Sequence, residues 1–145
     1  MAISFQSYVD PEDGERKTRE VAIPDPEPQP VTIEEVAAER RRRLALGFDY
    51  DFGDARGVHH IGTTAADMVG WDEVTKASQA MIALGAGSSA INIVTETGPA
   101  TVTAIEWQSI LLAASAARQP LWAASFALQA MDPIPADYAD DVYWP

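Results

Sequence analysis

The sequence predicts an α+β fold: a small helical head with one or two short antiparallel hairpins, preceded by an extended N-terminal arm. Three observations predict it. Thr32 with Glu35, and Thr103 with Glu106, each form a capping-box pair ahead of a run with apolar residues at helical spacing. Between these runs, Phe48, Tyr50 and Phe52 alternate with Asp49 and Asp51, the period of a strand. Finally, Pro24, Pro26, Pro28 and Pro30 set the first thirty residues apart, because proline at every second position forbids a helix and removes ladder donors.

The chain has 145 residues, 47% of them hydrophobic, a length and composition suited to one core. Its organisation reads as an arm over 1–30, a compact α+β domain over 31–131 and an acidic, aromatic tail over 132–145. Ile3, Phe5 and Val9 alternate with Ser4, Gln6 and Tyr8, which suits a strand. A mixed-charge stretch follows, then the proline spacer. An arm with one strand and no core is disordered or laid on something else. Ile3, Phe5, Tyr8 and Val9 are therefore its candidate partner-binding residues.

The first helix starts at Thr32 and ends at Gly47. Arg40, Arg41, Arg42 and Arg43 fall in its last turns, where cations complement the helix dipole. The alternating 48–52 strand, a turn over 53–57 and a return strand over 58–63 form one hairpin. Thr64 and Asp67 mark a second helix start, and Met68, Trp71, Val74, Met81 and Leu84 keep helical spacing until Gly85. Strands at 91–95 and 100–103 flank Glu96-Thr97-Gly98-Pro99, a second hairpin. The last helix runs from Thr103 to about Met131, with a kink or break expected just before Pro120.

Composition excludes several functions. With 22 acidic against 10 basic residues and a net charge of −12, no broad positive surface for nucleic acid is expected. There is no cysteine, which removes disulfides, zinc–thiolate sites and cysteine nucleophiles. Residues 1–10 lack the basic and apolar regions of a signal peptide. The uncharged stretch 77–95 is interrupted by Ser78, Gln79, Gly85, Gly87, Ser88, Ser89 and Asn92, so no membrane insertion is expected.

No catalytic constellation stands out, and neither enzyme activity nor a cofactor is expected. Asp49, Asp51 and Asp54 lie close together, but Gly53 and His60 stand where a calcium loop needs ligands. His59 and His60, the two histidines, would point to opposite faces of one strand. One is expected to pack inside and the other to face Asp49 or Asp51. Gly85-Ala86-Gly87-Ser88-Ser89 lacks the lysine of a phosphate loop and follows a helix, so it reads as a helix end. The four arginines fit a phosphate site, a helix end neutralised by nearby carboxylates, or a salt-bridged subunit contact.

The terminal helix carries the main functional signal. From 104 to 131 its only charged residues are Glu106 and Arg118. A helix apolar nearly all round is covered on all sides, and a domain this small is not expected to cover it alone. Trp107, Leu111 and Trp122 are expected to face the head's own core together with Trp71. Ile105, Leu112 and Phe126 are expected to meet other copies or partners.

The order of these segments carries a resemblance. Ala37-Ala38-Glu39-Arg40-Arg41-Arg42-Arg43 is followed by Phe48-Asp49-Tyr50-Asp51-Phe52, then Ile91-Asn92-Ile93-Val94-Thr95 with Gly98, and Val102-Thr103-Ala104-Ile105-Glu106-Trp107 opening the last helix. Over about 34–131 this resembles the domain of unknown function near the C-terminus of many phage tail-fibre and tail-assembly proteins. The resemblance implies a structural protein of the virion, in the tail, tail tip or tail fibre, that acts by protein–protein assembly. Its implied partners are other phage tail proteins and further copies of itself, with a trimer expected because tail appendages are often three-fold. An assembly chaperone absent from the mature particle is the alternative. A receptor-binding tip for host attachment is a second, with Tyr138, Tyr143 and Trp144 beside Asp137, Asp140 and Asp141 as its candidate cluster.

Overall fold

The computed structural model describes residues 2–23, 25, 27 and 29–145. The fold is α+β, with three helices and three two-stranded antiparallel sheets among the described residues. The chain divides into two compact units, Met1–Pro30 and Val31–Pro145.

The first unit is a hairpin, not a lone strand. β1 (Ala2–Val9) pairs antiparallel with β2 (Arg16–Ile23), which lies within the stretch read from sequence only as mixed charge and spacer. The turn between them is built by Asp10, whose Oδ1 accepts from the Glu12 N–H, and by Gly14 at φ 73°. Arg19 crosses from β2 to donate to Gln6 and to lie over the Tyr8 ring. The expected extended spacer falls partly on Pro24, Pro26 and Pro28, which lie outside the described residues.

The second unit opens with α1 (Ile33–Leu44), capped reciprocally by Thr32 and Glu35. β3 (Phe48–Asp51) and β4 (Val58–Ile61) form a hairpin, followed by α2 (Ala65–Ala83), where Asp67 plays the glutamate's part in the capping box of Thr64. β5 (Ala90–Thr95) and β6 (Gly98–Thr103) form the next hairpin across a two-residue turn, Glu96-Thr97. Pro99 therefore lies inside β6 and not in the turn. α3 (Ala104–Gln129) closes the unit, with Thr103 and Glu106 as its capping box.

α3 serves two cores. Its first half contributes Trp107, Ile110 and Ala114 to a cluster with Ile61, Trp71 and Val102. Its second half gives Leu128 to a cluster with Val36 of α1 and Trp144 of the C-terminal tail. Residues 132–145 thus fold into the unit that begins at Val31, and 131 is not the edge of the compact body. Arg40 Nη1 donates to the Ser125 hydroxyl at 3.0 Å and Arg118 Nη1 to the Leu44 carbonyl at 3.2 Å, so α1 grips α3 on both sides of Pro120.

Two expectations for α3 need correction. The helix runs unbroken through Pro120. Proline deprives the Ala116 carbonyl of its donor, but Ala116 is exposed, so water is within reach of that oxygen. Trp122 does not join Trp71 and Trp107 in the core. It is half-buried, with the Arg40 guanidinium 3.9 Å from its ring centroid and Phe126 at 5.8 Å. Fifteen residues at 100° each overshoot four full turns by about 60°, enough to rotate Trp122 off the line of Trp107.

Candidate functional site

The chemistry-bearing residues are built into structural junctions. His59 and His60 sit on β4, pointing to opposite faces. His59 is buried, and its Nδ1 lies 2.8 Å from the Thr95 hydroxyl, which donates onward to the Gly98 carbonyl. The hydroxyl proton is thereby used, so His59 Nδ1–H is the donor. The His60 backbone holds the turn of the other hairpin: its N–H donates to Thr97 Oγ1, and its carbonyl accepts from the Glu96 N–H.

The His60 ring lies between Asp49 Oδ1, 2.7 Å from Nδ1, and the Leu46 carbonyl, 2.8 Å from Nε2. Both partners only accept, so both bonds form only in the imidazolium. The Asp49 carboxylate, then the Leu46 carbonyl, raise the His60 pKa. Gly47 is required beside this ring. It has φ 78°, and a Cβ there would stand 2.5 Å from the Ile61 carbonyl and 2.6 Å from His60 Nε2.

The four arginines are partnered within the fold. Arg41 pairs with Glu34, and Arg42 with Glu39. Arg43 pairs with Glu39 and Asp141, while Arg40 covers Trp122. Hydrogen bonds to Arg42 lower the Glu39 pKa against the effect of its partial burial. The tail cluster weighed as a receptor tip is largely spent on packing. Trp144 is 5% exposed and donates its indole N–H to the Tyr138 carbonyl, with Tyr138 and Tyr143 packed beside it. Among the described residues, no group of three or more His, Cys, Asp or Glu could hold a metal ion. No helix of the described residues is long and apolar enough to cross a membrane.

What remains is surface. In the arm, Ile3, Phe5 and Val9 share one face of the hairpin and are exposed, Phe5 at 69%. Tyr8 lies on the other face under Arg19. On α3, Trp107 is 3% exposed against Trp71 (ring centroids 4.9 Å apart), and Leu111 packs on the same cluster. The other side carries Ile105, Leu112 and Phe126, exposed at 58, 74 and 58%. Spacings of 7 and 14 residues place these three on one stripe, within about 60°. Ala116, Gln119 and Ala123, also exposed, continue it without a charge.

A third surface was not anticipated from the sequence. A groove of about 470 Å³ runs between β5 and the first turns of α2. Trp71, Trp107, Ile61 and Val74 line it on the core side, with Ala66 and Gly70 on the α2 side and residues 92–96 along β5. The sequence signals were a glycine in mid-helix, at 70, and an apolar Val94 at an outward strand position. Comparison of the chain with protein-family models, curated proteins and solved structures gives no match.

Proposed function

We propose that this chain is a structural protein of a phage tail, tail tip or tail fibre, carried in the virion and acting by protein–protein assembly. The observation that carries the reading is the outer face of α3. Ile105, Leu112 and Phe126 lie exposed on an uncharged stripe of a helix whose other side already fills two cores. Such a face is consistent with burial against another protein. The coreless arm, with Phe5 and its neighbours exposed, supports the same reading, as does the resemblance to the tail-fibre domain over 34–131. Partners are then other tail proteins and further copies of the chain, with a trimer as the expected form.

Mass spectrometry of purified particles tests the proposal. Stoichiometric presence supports a structural component. Presence in the assembling lysate but absence from mature particles identifies an assembly chaperone instead. The burial of Trp144 weighs against the receptor-tip alternative, since the cluster proposed for it is used to close the fold.

A further inference from the structure

Two unfinished surfaces of this chain complement one another. The first is the outer edge of β5. Thr95 and Gly98 close a two-residue turn, so hydrogen-bonded and non-hydrogen-bonded pairs alternate away from it. Val94 stands opposite Pro99, which has no N–H, and Asn92 stands opposite Thr101. The backbone groups of Asn92 and Val94 therefore point away from β6. The corresponding outward carbonyl on β6, at Thr101, is covered by Arg56 Nη1 at 2.8 Å. No hydrogen bond among the described residues covers Asn92 or Val94 in the same way. The apolar groove over Trp71 runs beside this open edge.

The second surface is the arm hairpin. A lone two-stranded hairpin without a core of its own is marginal in water. Ile3, Phe5 and Val9 form an apolar face with Arg16 beside Val9, their cross-strand neighbour on β2. That face is otherwise charge-balanced, with Arg16 opposite Val9 and Glu20 opposite Phe5. The groove is open at Gly70, where an added Cβ would meet nothing within 4 Å.

We propose that β1 of one copy adds to the open edge of β5 in a neighbouring copy, with Phe5 laid in the groove over Trp71 and Gly70. Main-chain bonds to Asn92 and Val94 supply binding, and the groove selects alternate apolar side chains. The inference rests on the assembly reading above and names the surface that receives the arm. An arm-to-groove contact uses two different patches, so it repeats around a ring when the rotation closes.

The chain has no cysteine, which makes a cross-linking test clean. Full-length Phe5→Cys and Gly70→Cys proteins, mixed and oxidised, are expected to give a covalent heterodimer in excess over either homodimer. In sedimentation, Phe5→Glu and Gly70→Leu should each reduce the wild-type oligomer to monomer. Mixed together they should recover a pair, because one intact arm and one intact groove remain. Cross-linking of the Phe5→Cys/Gly70→Cys double variant within single chains would overturn the proposal, as would a wild type that stays monomeric at micromolar concentration. If both charge and bulk variants stay oligomeric while Leu112→Glu dissociates, the arm contact fails and assembly through α3 stands. Should Gly70→Leu unfold, the cross-link alone decides.

Discussion

Arg43 of α1 lies over the ring of Trp144, its guanidinium carbon 5.1 Å from the ring centroid. The same side chain donates to Glu39 at 2.6 Å, and to Asp141 and the Ala139 carbonyl at 2.8 Å each. The arginine thus ties the end of the chain to the first helix of the body. Trp144 in turn completes the cluster of Val36 and Leu128.

Trp144→Ala should therefore destabilise Val31–Pro145 by about 3–5 kcal/mol, the usual result of emptying a buried tryptophan site. Urea unfolding followed by far-ultraviolet circular dichroism checks this. Arg43→Ala should have a smaller effect, because the ring stays buried among Val36 and Leu128. A Trp144→Ala protein with an unchanged midpoint would mean that the tail is not part of the core.

His60 should make stability depend on pH. Its folded pKa is raised, first by the Asp49 carboxylate, while the unfolded ring titrates near its ordinary value of 6.5. A raised folded pKa means that the folded state holds the proton more tightly. The contribution is fully present below the unfolded value and is lost as pH rises through the folded one. The urea midpoint of the wild type minus that of His60→Gln should fall across that alkaline window and level off beyond it. Asp49→Asn should narrow the window. Glu96, 3.7 Å from Nε2, acts in the same direction.

Local signals made much of this fold legible. The boxes at Thr32–Glu35 and Thr103–Glu106 each use neighbouring residues only, so the sequence reports both helix starts. β2 escaped because Arg16, Lys17, Thr18, Arg19 and Glu20 form no alternating apolar face. Its sequence signals were the Asp10-to-Gly14 turn and the short Val21-Ala22-Ile23 end. Trp122 was misplaced by a helical remainder of about 60°, which accumulates over fifteen residues. The break at Pro120 did not occur because α1 grips both halves of α3 and the orphaned carbonyl faces outward. Trp144 and the β5 groove depend on contacts distant in sequence, which no local pattern encodes.

Asp54 joins Arg56 and Glu106 in a small network beside β6. Arg56 Nη2 lies 2.6 Å from both Asp54 Oδ2 and Glu106 Oε1. The Arg56 hydrogen bonds hold the Asp54 pKa at about 2. A depressed carboxyl contributes stability above its unfolded pKa and loses it as pH falls through the folded one. Carbon-detected NMR titration should find Asp54 charged down to about pH 2. Arg56→Ala should return it to the ordinary carboxylate range. An unshifted Asp54 in the wild type would mean that solvent screens the pair out.

The two faces of α3 should separate folding from assembly. Trp107 is packed on Trp71, and its indole N–H reaches Thr75 Oγ1 at 2.9 Å. Trp107→Ala therefore removes a ring from the core and leaves the Thr75 hydroxyl oxygen without its donor. A loss of about 3–5 kcal/mol is expected. Leu112 lies on the opposite side at 74% exposure, so little apolar area is lost when it is replaced. Leu112→Glu should leave the urea midpoint within about 0.5 kcal/mol of wild type. It should nevertheless weaken association, because a carboxylate entering an apolar contact must be desolvated without a partner. Parallel unfolding and sedimentation of both variants decide the point. Trp107→Ala lowering stability while Leu112→Glu lowers only association assigns the faces as described. The reverse pattern would place the assembly surface on the Trp107 side and require the Leu112 side to be internal.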